Sequence, residues 1–365
     1  MQSLDQLPEK CKLSIDISDI LWEINDSNQQ EILDKIEDAI NQQIFSAENI
    51  LKIIENIVEY RMRNLKNIFS FIKLFLAKFK ITPTKNTFSN EIIQVLLVKE
   101  GLMSYFVPFK YRSKTVDELY KYYDEGTLNY ALLWDDVDLL KSLTSSKDFN
   151  FDQNFDFNRS ILDFASKVGS VKCFKYLLSK GSNLLKITHQ MAYFGNNQEI
   201  IDICKKHTEP DQLCIENAVS AHYNDTVYRL INENKLDYSW SSSMKYFNLR
   251  AFYYKIQRTP KIDEFDYEGY NALLAASMFS NFVAVEYLVR KGANIEAADS
   301  MRNTPLMYAS IGGMKEMVEL LLANNANTES KDYCGRDVIT LAALQGNNDI
   351  VRMIFNKQNE NAEKE

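Results

Sequence analysis

Apolar residues recur along this chain with helical spacing, and in its last third the spacing itself recurs. They fall first at Ile32, Leu33, Ile36, Ala39 and Ile40, then at Ile50, Leu51, Ile54, Ile57 and Val58. Both series have offsets 0, 1, 4, 7 and 8, which is one buried face of a helix whose other side meets water. Ser27 and Ser46 stand where N-caps belong. A third helix is predicted over Met62–Phe79, and a fourth over about Glu91–Val98 after the break at Thr82-Pro83. Residues 1–120 therefore read as antiparallel helices on short loops, with Tyr105 to Arg112, around Pro108, as the connection onward.

Downstream the pattern repeats as a unit. Asp266, Asp299 and Asp332 are 33 residues apart, and so are Ala276, Ala309 and Ala342. The apolar runs Val285-Tyr287-Leu288-Val289, Val318-Leu320-Leu321-Leu322 and Val351-Met353-Ile354-Phe355 keep the same step. One unit, Asp299 to Lys331, has a polar tip, Asn303-Thr304-Pro305-Leu306, a first helix through Ala309, a turn at Gly312-Gly313 and a second helix on Val318-Glu319-Leu320-Leu321-Leu322. The Thr304 hydroxyl can accept from the first-turn amides, and Pro305 sits where no amide needs a partner. Asn271 and Asp337 occupy the capping slot in the flanking units, and Gly292-Ala293-Asn294 and Asn325-Ala326-Asn327 close two of them. A period of 33 with T-P-L in this register resembles the ankyrin repeat.

Ser160-Ile161-Leu162-Asp163-Phe164-Ala165, with Gly169, Tyr176-Leu177-Leu178 and Gly181-Ser182-Asn183, fills the same slots. Thr127 to Leu143, with Ala131, resembles a degenerate first copy. Between them and the regular copies, Ala192 and Ala218 come at steps of only 27 and 26, enough for two helices and a tight turn but not for a projecting hairpin. Thr188 to Lys205 and Leu213 to Ile231 read as such trimmed pairs, and Met244 to Ile256 as one whose alanine is lost. The expected organisation is 1–120 helical, 121–262 degenerate and partly hairpin-poor repeats, 263–356 regular repeats and 357–365 a polar tail. This layout resembles a large family of protist ankyrin proteins. The resemblance implies an all-α solenoid with short β-hairpin loops, and a non-enzymatic scaffold that binds protein.

In ankyrin repeats the slots after the leading Asp and at the end of the first helix face the concave groove. By that resemblance the partner-binding residues are Tyr267, Glu268, Tyr270, Met278 and Phe279, then Ser300, Met301, Asn303 and Ile311, then Tyr333, Cys334, Arg336, Leu344 and Gln345. Aromatic, methionine and arginine side chains are the types enriched at binding hot spots, so a protein segment with an apolar centre is the expected partner. A recruitment adaptor, whose N-terminal helices dock on a larger assembly or an anionic membrane surface while the repeats hold a client, is the alternative. The slot that usually carries histidine in ankyrin repeats holds Leu274, Met307 and Thr340, a departure that speaks against the usual polar network between repeats.

Composition narrows the rest. At 365 residues the chain is long enough for two domains or for one quasi-linear stack. A net charge of −8 argues against nucleic acid, whose phosphates need clustered cations. Arg61, Arg63, Lys66, Lys73, Lys78 and Lys80 interrupt an apolar segment without an acidic residue, a pattern that fits either an anionic membrane surface or a core helix with snorkelling lysines. Phe71, Leu74 and Leu76 extend the apolar residues beyond one stripe and favour the core. The odd count of five cysteines, a charged N-terminus and the absence of any apolar run of about 18 residues lead us to expect a monomeric cytoplasmic protein.

Catalytic chemistry is not expected. Cys204, His207 and Cys214 come closest to a metal set but lack a fourth ligand. Gly312-Gly313 has neither the lysine nor the strand of a phosphate loop, and no hydrolase motif occurs. No cofactor or metal is implied.

Overall fold

The computed structural model describes residues 4–152, 154–156 and 159–362. The first helices are α1 (Glu9–Leu21), α2 (Gln29–Asn41), α3 (Ala47–Tyr60), α4 (Leu65–Lys78), α5 (Glu91–Lys99), α6 (Phe109–Arg112) and α7 (Val116–Tyr120). Helix pairs follow: α8 (Leu128–Leu133) with α9 (Val137–Leu143), then the hairpin β1 (Asn154–Asp156) and β2 (Arg159–Ser160), then α10 (Ile161–Lys167) with α11 (Val171–Ser179). Three closely spaced pairs come next, α12 (Lys186–Gly195) with α13 (Gln198–Lys205), α14 (Gln212–Ser220) with α15 (Asn224–Asn234), and α16 (Trp240–Lys245) with α17 (Leu249–Arg258). The regular pairs are α18 (Ala272–Met278) with α19 (Phe282–Arg290), α20 (Pro305–Ile311) with α21 (Lys315–Ala323), and α22 (Val338–Leu344) with α23 (Asn348–Ala362). The fold is all-α, its described strands confined to the antiparallel β1–β2 pair and a bridge between Lys331 and Asp337.

Every pair is built around one small buried residue. Ala131, Ala165, Ala192, Ala218, Ser243, Ala276, Ala309 and Ala342 are all fully buried. In seven of the pairs the amide five residues on returns to this residue's carbonyl, from Asp136, Ser170, Tyr223, Asn248, Asn281, Met314 and Asn347 at 2.8–3.0 Å. The residue before that amide has a left-handed backbone, a closing turn of Schellman type that satisfies helix-end carbonyls. Glycine fills that position as Gly169, Gly313 and Gly346, whereas Asp135, His222, Phe247 and Ser280 adopt it with a side chain. The same count resolves the pair whose alanine was expected to be lost: Ser243 takes its place.

The chain forms two compact units, Ile17–Tyr238 and Met1–Asp16 with Ser239–Glu365. In the first, α4 is a core helix. Leu65, Ile68, Phe69, Phe71, Ile72, Phe75 and Leu76 are buried, while Lys73 pairs with Glu100 and Lys78 with Asp34 and Glu37. The end of α3 and the following turn lie along the turns inside successive helix pairs. Tyr60 stacks on Phe194 at 4.6 Å, Trp22 stacks on His222 at 4.2 Å, and Arg63 donates to the Leu133 carbonyl and the Ser170 hydroxyl.

In the second unit the first residues of α1 meet second helices of the repeats. Gln6 to Cys11 share a groove with Val283, Glu286, Tyr287, Arg290 and Lys291, and Cys11 neighbours the fully buried Tyr253 of α17. Burial pushes the Tyr253 phenol well above its ordinary range.

Several local expectations shift. Ser27 does not cap α2, because Asn28 occupies that position and the Ser27 hydroxyl turns to Asn25. Ser46 does cap α3, with Asn49 completing a reciprocal box. The predicted third helix opens with a 3-10 turn at Met62–Asn64 before α4. Helix α23 runs to Ala362, through the start of the polar segment expected as a tail.

Candidate functional site

The candidate face is assembled by three equivalent aspartates. Asp266 Oδ1 accepts from the amides of Glu268 and Tyr270 at 3.0 and 3.1 Å. Asp299 takes those of Met301 and Asn303 at 2.9 and 2.8 Å, and Asp332 those of Cys334 and Arg336 at 2.9 and 2.8 Å. Each aspartate amide in turn donates to the carbonyl four residues on, at Tyr270, Asn303 and Arg336. The chain folds back on itself within five residues, and a carboxylate rather than a long ladder holds the turn. A left-handed residue completes each tip: Gly269, Arg302 and Gly335. Adjacent tips are linked where the Tyr333 amide donates to the Met301 carbonyl at 2.9 Å.

The second oxygen differs from copy to copy. Asp266 Oδ2 accepts from the Trp240 amide, Asp299 Oδ2 from Tyr308 and Asn303, and Asp332 Oδ2 from Arg336 at 2.7 Å. Burial raises the Asp266 carboxyl above its usual range, against the pull of the Trp240 and Tyr270 amides. At Asp332 desolvation also pushes upward but is outweighed by the Arg336 amide and guanidinium, and the carboxyl lies below its usual range. Burial, followed by the hydrogen bond to Asp299, raises the Tyr308 phenol.

First-helix starts follow from the caps. Asn271, Thr304 and Asp337 accept from the amides of Leu274, Met307 and Thr340, three residues on. Between repeats the amides of Asn294 and Asn327 reach back to Asp263 and Glu296 at 2.7 and 2.8 Å. Asn347 reaches back to the Ser310 and Ile311 carbonyls. Each of these bonds pairs a backbone group with a side chain, and Leu274 and Met307 are buried as plain core.

Tip and first-helix residues end in different environments. Tyr267, Met301 and Tyr333 are 57%, 50% and 74% exposed, and Met278 and Leu344, at the ends of first helices, are 40% and 64%. Glu268, Ser300, Cys334, Arg336 and Gln345 are also exposed, whereas Tyr270, Phe279, Asn303 and Ile311 are half-buried. Three of these polar groups already have partners: Asn303 donates to Asp299, Arg336 to Asp332, and Glu268 accepts from Ser241. The exposed apolar members of the set are Tyr267, Met301, Tyr333, Met278 and Leu344. Contacts on Asp266 from Trp240 were not legible in the sequence, because the helix pair supplying them lacks its marker alanine.

Among the described residues no group of three His, Cys, Asp or Glu is placed to hold a metal, and no helix is long and apolar enough to cross a membrane. Cys204 is buried and its thiol pushed up to about 12 by desolvation, far from the reactive thiolate range.

Comparison with known families finds two matches. Residues 273–365 match ankyrin repeats (3 copies), and residues 181–255 match a domain of unknown function, DUF3447. No curated protein matches the chain. The first match covers the regular pairs, and ankyrin repeats are in general non-enzymatic modules for protein interaction.

Proposed function

We propose that this chain, whose residues 273–365 match ankyrin repeats, is a binding scaffold which holds a protein segment along its hairpin face. The observation that carries this reading is the row Tyr267, Met301 and Tyr333, exposed on hairpins held by their aspartates, with Met278 and Leu344 exposed at the ends of first helices. Burying such side chains contributes on the order of 1.5–3 kcal/mol each. Rigid tips lose little further entropy on binding. The groove met by the N-terminal segment is lined by α19, a second helix, and the tips stay open to solvent.

A photo-crosslinking residue placed at Tyr333 or Met301 is expected to trap polypeptide partners, and one placed at Glu316 on a second helix is not. Partners trapped equally at all three positions, or retained after the triple change Tyr267→Ala, Met301→Ala and Tyr333→Ala, would sink the proposal.

One observation favours the adaptor as a second reading. Phe106 and Phe109 are 63% and 84% exposed, and the Arg112 guanidinium lies over both rings. An aromatic pair left open among the N-terminal helices suits a second docking point. Loss of one partner subset in a Phe106→Ser, Phe109→Ser variant would support it, and an unchanged partner set would exclude it.

A further inference from the structure

Two residues beyond the buried small residue of each pair, one side chain stands at or next to the end of the first helix. The row includes Leu133, Lys167 and Phe194 in the unit Ile17–Tyr238, and Met278, Ile311 and Leu344 in the regular pairs. In the first unit the row already holds a helix end. Tyr60, the last residue of α3, stacks on Phe194 with ring centres 4.6 Å apart and planes 10° apart. Arg63, in the 3-10 turn that follows, donates to the Leu133 carbonyl at the end of α8 and to the Ser170 hydroxyl at 2.9 Å. Under this cover Leu133 is 2% exposed.

In the regular pairs the same row lies open. Met278 is 40% and Leu344 64% exposed, Ile311 is half-buried, and Gly312 and Gln345 beside them are exposed. The first helices α18, α20 and α22 pack one against the next, so the three side chains follow one another across the face. A last-turn carbonyl finds no partner inside its own helix. At Leu133 the missing donor is Arg63, and at Ile311 it is the Asn347 side chain at 3.2 Å. No hydrogen bond among the described residues reaches the Met278 or Leu344 carbonyl.

We propose that the row Met278, Ile311 and Leu344 seats the end of an amphipathic helix from a partner protein, an aromatic side chain lying on the row and an arginine donating to the Met278 or Leu344 carbonyl. This rests on the scaffold reading and gives its bound segment a conformation and two anchors. The occupant follows from the interface that the chain already makes at the same register position, where α3 and its turn supply both groups. Tyr60 and Arg63 are three residues apart, a spacing that a helical turn places on one side and an extended chain places on opposite sides. Arginine suits the task because its guanidinium offers several donors and no acceptor, whereas a carboxylate has nothing to donate to a carbonyl. Aromatic and arginine side chains are also the types that dominate binding energy at interfaces.

The test is fluorescence anisotropy of a labelled peptide of residues 47–64, which carries α3 and its turn, titrated with the full chain. Saturable binding is expected, with Kd raised about tenfold or more by Met278→Glu or Leu344→Glu in the chain, and by Tyr60→Ala or Arg63→Ala within the peptide. Phe194→Ala in the chain detects exchange with the chain's own α3 and should leave Kd unchanged. Far-UV circular dichroism checks that each variant folds, and Leu344→Ser carries the test if a glutamate variant does not. Equal binding of a scrambled peptide, affinity kept in Met278→Glu and Leu344→Glu but lost in Phe194→Ala, or no saturable response at about 1 mM would overturn the assignment. Polypeptides still trapped at Met301 and Tyr333 in that event would remove the helix end alone and leave the scaffold standing.

Discussion

Tyr308 donates its hydroxyl to Asp299 Oδ2 at 2.5 Å, tying a first helix to the hairpin that precedes it. The same carboxylate already takes two backbone amides and the Asn303 side chain, so the phenol completes its set of partners. Tyr308→Phe removes the bond with almost no change of shape. A loss of about 1.5 kcal/mol or more is expected for a hydrogen bond to a buried charge. The urea unfolding midpoint measures it, and a midpoint equal to wild type would refute the role given to this pair.

Helices approach closely at the small slot. Ala309→Leu and Ser243→Leu should each destabilise by about 1–3 kcal/mol through overpacking. Ser243→Ala should cost less than about 1 kcal/mol, because the hydroxyl donates to the Trp240 carbonyl within its own helix. Thermal unfolding of the three variants tests the frame. A tolerated Ser243→Leu would show that the slot lies elsewhere in α16.

Arg302 adopts φ +61° at the hairpin position that Gly269 and Gly335 fill in the neighbouring copies. A side chain is strained there, and glycine is not. Arg302→Gly is therefore expected to stabilise by about 0.5–1 kcal/mol, read as a rise in Tm. A fall would mean that the exposed arginine contributes more through its charge than its backbone costs.

His189 supplies a pH dependence. It is buried, with Nδ1 on the Thr208 hydroxyl at 2.7 Å, and burial lowers its pKa, with Asp211 and Glu209 opposing and Lys205 adding to the effect. The unfolded chain therefore binds this proton more readily than the folded one. Stability should fall as pH drops through about 6.5, the ordinary histidine value, and be fully present above it. Denaturant midpoints at about pH 7.5 and 5.5, compared with His189→Asn, isolate the contribution. If the variant keeps the same slope, the dependence belongs to other groups.

Much of the fold was legible because a repeated unit states its rule several times. Asp266, Asp299 and Asp332 mark hairpins, Asn271, Thr304 and Asp337 cap helices, and the alanines mark close approach, so each copy checks the others. Ser243 hid because serine fills nearly the volume of alanine but breaks the letter pattern. Helix α1 hid for a related reason. Its apolar letters Leu13, Ile15 and Ile17 alternate like a strand, while the buried stripe Cys11, Ser14, Ile15, Ser18 and Leu21 includes two serines.

The hairpin tips were legible as positions, but their exposure was not. Tyr267 and Tyr333 stand open while Tyr270, in the same hairpin as Tyr267, is half-buried near Tyr308. The chain's letters determined the period, the caps and the turn residues, since these act over a few bonds within one unit. Only the folded molecule decided that Arg61 lies over the Tyr223 ring and that Cys11 lies beside Tyr253, because such pairings depend on which distant surfaces the packed helices bring together.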